Sequence, residues 1–494
     1  MKSPGISALA LAALGLFLVA TIAGENFVDP DAFHLMSLFR EALRIGWIPV
    51  RDSFAYTPTV FPCVQHEWGT GALLFLATSS FGAAGILAWK YSLALGIAVT
   101  LLALHRRART PIAVFAPLAP IGVLLLSTGF STVRAQVFTL LGTAVLLLVL
   151  DRDRRGERGW ILPWLVAHGI WLNLHAGFVV GSILFASHVV EQRLRAAPVR
   201  HLLATLGAMA ALVIVNPYGW RYFPALVRGL TLDRSIVTEW DPIWKDAPGI
   251  VAVFAGSLLL LAYAFGRRGW KDTPGALLAV AASAAAILHQ RHVSIFAVVW
   301  LGLAPAWIGA TPLGLVLAEW WRAKSKIVLA LGAVLSIASA CVAFAREPWR
   351  LRVPANPGEH ESLLYPAGAV RYLEENRFEG NLMVPFSVGA FVSWKLHPRV
   401  LVSFDGRFEV AYPPRAAEEN RDFYGARESW RATLARDPTD AVLAPSGSPI
   451  VAALASGEVW RACYRDDAYA IFVRKGLDLP AVDRRGALVR AEFP

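Results

Sequence analysis

Gly24-Glu25-Asn26-Phe27-Val28-Asp29-Pro30-Asp31 follows the first apolar segment and leads through an amphipathic run to Gln65-His66-Glu67-Trp68. Carboxylates directly after an apolar segment stand where a membrane meets water, and a pair of them there points to catalysis at that surface. The surrounding composition decides the class. Of 494 residues, 56% are hydrophobic and 17% charged, with a mean hydropathy of +0.50 and the charges gathered in short clusters between apolar runs. This is the pattern of a polytopic α-helical membrane protein.

Apolar runs of spanning length fall at 5–23, 69–104, 111–129, 135–150, 160–175, 177–190, 201–216, 249–265, 274–290, 293–309 and 327–345. The run 69–104 is too long for one straight span and is interrupted by Gly82, Gly85 and Lys90, so the expectation is 11–13 transmembrane helices. Short loops rich in Lys and Arg resist translocation. The clusters at 106–109, 152–158, 193–200, 267–271 and 322–326 can all be cytoplasmic at once, which puts the N-terminus inside and 24–68, 130–134, 217–248, 291–292 and the tail outside. Lys2 and the small residues of Thr21-Ile22-Ala23 also fit a cleavable signal peptide, and either reading leaves Asp29 outside. The net charge of +11 thus reports topology, since no basic and aromatic interleaving argues for nucleic acid.

The chain divides at about Arg346 into a membrane domain, 1–345, and an extracytoplasmic α/β domain, 346–494. In the tail, 367–376 and 429–435 read as helices, and 382–386, 391–396, 400–404, 441–443, 460–464 and 468–473 as strands, with Arg465-Asp466-Asp467 turning the last hairpin. Three cysteines make no disulfide framework; Cys63 with Cys463 is a candidate outer-face bridge.

In the first outer loop Leu35, Met36, Leu38, Phe39, Ala42 and Leu43 take one helical face and His34, Ser37, Arg40, Glu41 and Arg44 the other, predicting a helix in the headgroup plane. Asp31 is the expected N-cap, Asp29 has no such local duty, and Asp52 beside Pro49 reads as a turn residue. Glu67 either joins an acidic site or caps the helix beginning at Trp68. Arg291 and His292, at the outer end of a short hairpin, suit a phosphate, the alternative for Arg291 being an interfacial anchor. His175, in a tight outer hairpin, is either a proton shuttle or substrate contact or a buried hydrogen-bonded histidine.

An apolar N-terminal span, an outer loop opening Asp29-Pro30-Asp31, a helix after it and a later His66-Glu67-Trp68 resemble the GT-C superfamily of polyprenyl-linked sugar glycosyltransferases, which includes the oligosaccharyltransferase catalytic subunit, the protein O-mannosyltransferases and the aminoarabinose transferases of lipid A. Ser235-Ile236-Val237-Thr238-Glu239-Trp240 resembles the Thr-Ile-x-Glu element of oligosaccharyltransferases. Phe386-Ser387-Val388-Gly389-Ala390-Phe391-Val392-Ser393-Trp394, with Arg399 and Asp405-Gly406-Arg407 after it, is placed like their WWDYG region. That motif itself is absent, and Ser131-Thr132-Val133-Arg134 stands where the family has a second acidic pair.

The resemblance implies an inverting hexosyl or pentosyl transfer in the cell inner membrane, from a polyprenyl-phosphate-linked donor held among membrane lipid to an extracytoplasmic acceptor such as a cell-envelope glycan, lipid or protein. It maps the catalytic or metal-binding carboxylate onto Asp29 and Asp31; from the residues themselves Asp29 is read as the base, with Asp31 and Glu239 supporting it or holding a divalent cation, Mg or Mn, and Glu67, His175, Arg291 and His292 as candidate substrate contacts. The chemistry asks for the same parts: an oxocarbenium-like state, a carboxylate to take the acceptor's proton and cations for the departing phosphate. The rivals are an undecaprenyl-linked polysaccharide polymerase or ligase, which gives no reason for the α/β tail, and a lipid-linked sugar transporter. A transporter usually shows repeated halves and ionisable residues near the midplane, and this sequence shows neither.

Overall fold

The computed structural model describes residues 4–130, 134–232, 234 and 237–494. Lys2 of the leader reading, Ser131-Thr132-Val133 of the second outer loop and Ser235-Ile236 of the element before Glu239 lie outside the described residues. Along the chain run α1 (Pro4–Ala23), α2 (Pro30–Ile45), α3 (Trp68–Arg107), α4 (Ile112–Ser127), α5 (Gln136–Arg154), α6 (Ile161–Leu174), α7 (Phe178–Leu194), α8 (Arg200–Ala211), α9 (Tyr222–Thr231), α10 (Pro248–Arg268), α11 (Ala276–Leu288), α12 (Val293–Gly309), α13 (Pro312–Ala323) and α14 (Ser325–Ala345). Each of the eleven expected spans falls on one of these helices.

Among the described residues, six helices are long and apolar enough to cross a membrane alone: Gly5–Ala23, Trp68–Arg107, Ile112–Phe130, Pro248–Arg268, Gln290–Gly309 and Ser325–Ala345. Arg200–Ile214 with Gly219–Gly229 qualifies only as a pair, α6 and α11 are apolar but shorter, and α5 ends in the charged run Asp151-Arg152-Asp153-Arg154. The protein is therefore polytopic and mostly helical. Of the expected interruptions in α3, Gly82 is the real break: its φ of 57° and ψ of −138° are open to glycine and closed to other residues.

The chain forms two compact units, each built from three segments. The first comprises Met1–Asn26, Leu87–Val215 and Asp233–Arg350. At its centre α12 buries fifteen of its seventeen residues among α4, α5, α10 and α11. With no water to expel, spanning helices associate through close packing, and small residues permit it. Gly122 admits the Leu301 side chain, and Gly142 and Gly181 both lie against the Trp171 indole.

Two cations close the end of α1. Lys90 Nζ donates to Ile22 O (2.9 Å), Glu25 O (3.0 Å) and Asn26 Oδ1 (3.0 Å), and Arg346 Nη1 donates to Ala20 O (2.8 Å). Ile22 O and Ala20 O are among the carbonyls that the C-terminus of α1 leaves without intrahelical partners. Four of the five basic loops make contacts with one another. Arg107 pairs with Asp151 (2.9 Å), His201 with Asp153 (2.7 Å), and Arg195 donates to Lys271 O (2.9 Å).

The second unit comprises Phe27–Ile86, Asn216–Leu232 and Leu351–Pro494. Its centre is a mixed sheet of β1 (Gly380–Met383), β2 (Val400–Val402), β3 (Ala441–Pro445), β4 (Trp460–Arg465), β5 (Tyr469–Arg474) and β6 (Val482–Asp483), in the order β2-β1-β3-β5-β4-β6. β1 is parallel to β2 and β3, and β5 is antiparallel to β3 and β4. Helices α15 (Ala367–Glu375), α16 (Gly389–Leu396), α17 (Phe408–Ala411), α18 (Ala416–Tyr424), α19 (Trp430–Arg436) and α20 (Pro449–Ala455) complete it. Met383, Phe423, Trp430, Val442, Ile450 and Phe472 form one core.

The first outer loop is woven into this unit. Val402 N donates to Phe54 O (2.9 Å) and Tyr56 N to Val402 O (3.1 Å), so residues 54–56 cover the β2 edge that would otherwise be open. Val28 N donates to Arg352 O (3.0 Å), and Tyr365 Oη donates to Val28 O (2.8 Å).

Several expectations change. The run 391–396 is helical, in α16, because a six-residue run with four residues buried is too short for its period to separate strand from helix. Of the apolar face of α2, Leu35, Met36, Leu38 and Ala42 are buried in protein while Leu43 is exposed, with Phe33 5.2 Å from Phe391 and Arg40 Nη2 donating to Trp394 O (2.9 Å). An amphipathic stripe asks only for apolar cover, and α16 supplies it. Cys63 and Cys463 are both buried free thiols, unpaired with each other. The Arg465-Asp466-Asp467 hairpin forms, Asp466 Oδ1 accepting from Ala468 N (2.9 Å) and Tyr469 N (2.6 Å).

Candidate functional site

In the second unit the site is built on the start of α2. Pro30 at the first helical position sets φ without losing a bonded amide. The N-cap is Asp29, whose Oδ1 accepts from Asp31 N at 2.8 Å, which exchanges the duties read from the sequence. Asp29 is buried in that role, whereas the Asp31 side chain is 38% exposed in the first turn, where a helix favours negative charge. Three residues on, His34 is 7% exposed, with Nδ1 3.8 Å from Asp31 Oδ1. Burial pushes the His34 imidazole down to about 4, against the opposing pull of Asp405, Glu67 and Asp29, so the ring is neutral at physiological pH.

The segment Asp405-Gly406-Arg407 lies against this turn of α2. Arg407 is clasped by two carboxylates: Nε lies 3.0 Å from Asp405 Oδ1, Nη2 lies 2.7 Å from Asp405 Oδ2, and Nη1 donates to Asp52 Oδ1. All three side chains are 1% exposed, and the guanidinium lies 4.7 Å from the Phe54 ring. Burial disfavours both charges, yet their proximity prevails: Arg407 holds the Asp405 carboxyl below the usual carboxylate range, and Asp405 and Asp52 raise Arg407 well above its own. Asp52 also makes the expected turn, Oδ2 accepting from Phe54 N (3.1 Å) and Ala55 N (2.7 Å). Glu67 lies 3.5 Å from His66 Nε2 and belongs to the charges acting on His34, so it stands with the acidic group.

In the first unit a second, basic group forms around Trp240. The Arg234 and Arg291 guanidiniums lie 4.4 and 4.5 Å from its ring centroid, and His289 Nδ1 donates to Trp240 O (2.7 Å). Glu239 pairs with Arg134; burial works against its charge, but Arg134 and Arg291 hold the carboxyl below its ordinary value. Gln136 Nε2 donates to Arg291 O (2.9 Å), fixing the hairpin to α5. His292 Nδ1 donates to Ala285 O (3.3 Å), with its ring 6.0 Å from that of Trp240. Three guanidiniums against one carboxylate, two of them stacked on an indole, suit a phosphate ester.

His175 takes the buried reading. Its Nδ1 accepts from Gly177 N (3.0 Å) and from the Thr139 hydroxyl (2.6 Å), which in turn accepts from Trp171 Nε1 (3.1 Å). Among the described residues no three His, Cys, Asp or Glu side chains converge on a metal position. Glu239 is held by Arg134, and one oxygen of Asp29 is taken by the cap. The donors of neither unit fit a metal shell by themselves.

His34, Asp52, Arg134 and Arg234 were not singled out as site residues from the sequence. Arg134 stands where an acidic pair was sought, and His34 shared the polar face of α2 with four other residues.

No protein-family model matches the chain, and no curated protein matches it. Solved structures do. The Archaeoglobus fulgidus oligosaccharyltransferase tethered to an acceptor peptide with the NVT sequon superposes with a TM-score of 0.53 at 13% identity, covering 90% of this chain and 69% of that one. Its apo form gives 0.52 at 14% identity over 95% and 75% of the two chains. The archaeal oligosaccharyltransferase AglB from Archaeoglobus fulgidus, in complex with an inhibitory peptide and a dolichol-phosphate, gives 0.52 at 13% over 88% and 69%. This chain shares its overall fold with these archaeal oligosaccharyltransferase structures.

Proposed function

We propose that the chain is an integral membrane glycosyltransferase that moves a sugar from a polyprenyl-phosphate donor to a hydroxyl-bearing extracytoplasmic acceptor. Asp31 carries this reading: a carboxylate in the first turn of α2, partly exposed, relieved of capping by Asp29 and backed by a neutral buried histidine. As the bond from the anomeric carbon to the phosphate oxygen breaks, the phosphate leaves with the electron pair, the acceptor oxygen bonds to that carbon, and its proton passes to Asp31. Asp29 holds the turn, and Glu67 adds to the field around it. In the first unit Arg291, with Arg134 and Arg234, takes the phosphate, while Glu239 positions the guanidiniums. His292 and His175 act from hydrogen-bonded positions as supports rather than as acids.

The dolichol-phosphate complex of the archaeal protein supports a donor of that class. A cation at Asp31 and Glu239 would add charge stabilisation, but the donor set does not fit one, and no step passes through it. The test is a strain lacking this protein. Mass spectrometry should show a missing envelope glycan and an accumulated lipid-linked sugar, both restored by the wild-type gene and not by Asp31→Asn. Unchanged glycans together with unchanged lipid-linked sugars would overturn the reading. Export of an intact lipid-linked sugar, lost in the mutant without loss of transfer, would favour the transporter.

A further inference from the structure

We propose that α13, in the first unit, is a surface helix whose outward face binds the headgroups of anionic phospholipids. The first observation is length. The helices on either side of it, Gln290–Gly309 and Ser325–Ala345, are each long and apolar enough to cross a membrane, whereas α13 has 12 residues, Pro312–Ala323. At 1.5 Å per residue it covers about 18 Å, well short of the roughly 30 Å of hydrocarbon. It also folds back rather than running on. A side chain at Gly314 would put its first carbon 2.3 Å from Ile308 O and 2.6 Å from Gly309 Cα, so glycine lets the first turn of α13 rest on the end of α12. Two spans joined by such a segment open on one face of the membrane, and α13 lies along that face.

The second observation is what α13 presents there. Gly314 is buried on the protein side, while Leu315, Val316 and Trp320 are exposed, Val316 and Trp320 sharing a flank at a spacing of four. A helix held to protein by one side, with aliphatic groups and an indole outward on the other, suits the boundary between headgroups and acyl chains.

The third is charge. Residues 312–326 carry Arg322, Lys324 and Lys326 against the single carboxylate of Glu319, and all four are exposed. The end of α12 adjoins the start of α4, since a first side-chain carbon at Gly309 would lie 3.6 Å from Pro111 Cδ, and this brings the exposed Arg106 and Arg109 to the same face. Among the described residues none of these five cations is in an ion pair; Arg322 Nε donates only to Ala318 O (3.3 Å). A phospholipid with net negative charge answers both features at once: its phosphate meets the cations and its acyl chains cover the apolar groups. A zwitterionic headgroup brings its own cation and gains less. The basic loops assign this face to the cytoplasm, where the leaflet is the anionic one.

The test uses the full-length protein with Cys341→Ser, which removes the exposed thiol, and Val316→Cys carrying an environment-sensitive fluorophore. It is placed in phosphatidylcholine nanodiscs containing brominated phosphatidylglycerol or brominated phosphatidylcholine. Both lipids should quench the label, and half-quenching should need about tenfold less of the phosphatidylglycerol, the effect of one or two Lys or Arg contacts. Arg322→Gln, Lys324→Gln and Lys326→Gln together should remove the difference, and salt at about 1 M should shrink it. No quenching by either lipid would place the face against protein or water and overturn the proposal. Equal quenching by the two lipids, or a difference that survives the triple variant, would overturn it as well. If the triple variant does not accumulate, salt decides, and a difference that about 1 M salt leaves unchanged is again an overturning result.

Discussion

In the second unit the charges are sealed: Asp52, Asp405 and Arg407 are each 1% exposed and satisfy one another, leaving Asp31 the outward carboxylate of the group. In the first unit they are half open: Arg134 and Glu239 are 30% and 36% exposed, and Arg234 and Arg291 rest on the face of an indole. A proton acceptor must be placed to within a fraction of an ångström, so a rigid buried ion network beneath it is useful. A phosphate on a long lipid is a diffuse anion, for which stacked guanidiniums with room to adjust are sufficient. On the proposed reading, the acidic group is built for precision and the basic group for capture.

The largest effect that could break this contrast is at Asp31. Asp31→Asn should lower turnover 10²–10⁴-fold, the range typical of a lost general base, with little change in stability, because its side chain neither caps the helix nor lies in the core. If Asp29→Asn does this instead while Asp31→Asn turns over normally, the base is the cap residue and the contrast between the two carboxylates fails.

Next in size is the seal itself. Arg407→Leu leaves Asp52 and Asp405 buried against each other without a cation, and removing one partner of a buried pair typically costs about 3–5 kcal/mol. Hydrogen exchange across α2 and β2 should show it. The pH dependence follows from the direction of the Asp405 shift. With its folded value below the ordinary carboxylate range, its contribution is complete above that range and is lost as pH falls through the lowered value. The wild type should therefore loosen in this region only in strong acid, and the variant should show no such transition. Equal protection in the two proteins would mean that the network carries no stability.

The sequence made the membrane class legible because spanning length is a one-dimensional property: each of the eleven apolar runs is a helix, and Gly82 stood out as a breaker. It could not show that residues 27–86 and 216–232 fold with the tail, since the Ala55 bridge to Val402 and the Asp52 pairing with Arg407 join positions some 350 apart with no local signature. The same limit applies within the site. Asp29 and Asp31 were read as important from their place after α1, but which of them caps depends on the β-region ψ of 141° at Asp29, a single dihedral that both residues could have adopted. His34 became visible only once Gly406 lay beside it.

On the basic side the expected effect is smaller and confined to the donor. Arg291→Ala should weaken binding of a polyprenyl-phosphate sugar by about 1.5–3 kcal/mol, the range for a charge-assisted hydrogen bond, while the acceptor dependence stays as it was. Arg291→Lys keeps the charge but gives up the planar stacking on Trp240 and should fall between the two. Unchanged donor affinity in Arg291→Ala would return this arginine to the role of an interfacial anchor. Turnover measured with and without a chelator belongs in the same assay: activity lost in chelator and restored by Mg would show a cation that the donor set does not by itself account for.

The smallest effect separates placement from chemistry at Asp29. Its Oδ1 accepts from Asp31 N, so Asp29→Ala removes the cap of α2 and should cost about 0.5–2 kcal/mol of local stability. Asn is as good a cap as Asp but carries no charge. If Asp29 only holds the turn, Asp29→Asn should keep near-normal turnover and normal protection of the first turn of α2, while Asp29→Ala should lose protection and activity together as Asp31 drifts from its place in that turn. If both variants lose activity while Asp29→Asn keeps its protection, the negative charge of Asp29 matters beyond the cap. The acidic group would then work as a coupled pair of carboxylates rather than as one base on a fixed support.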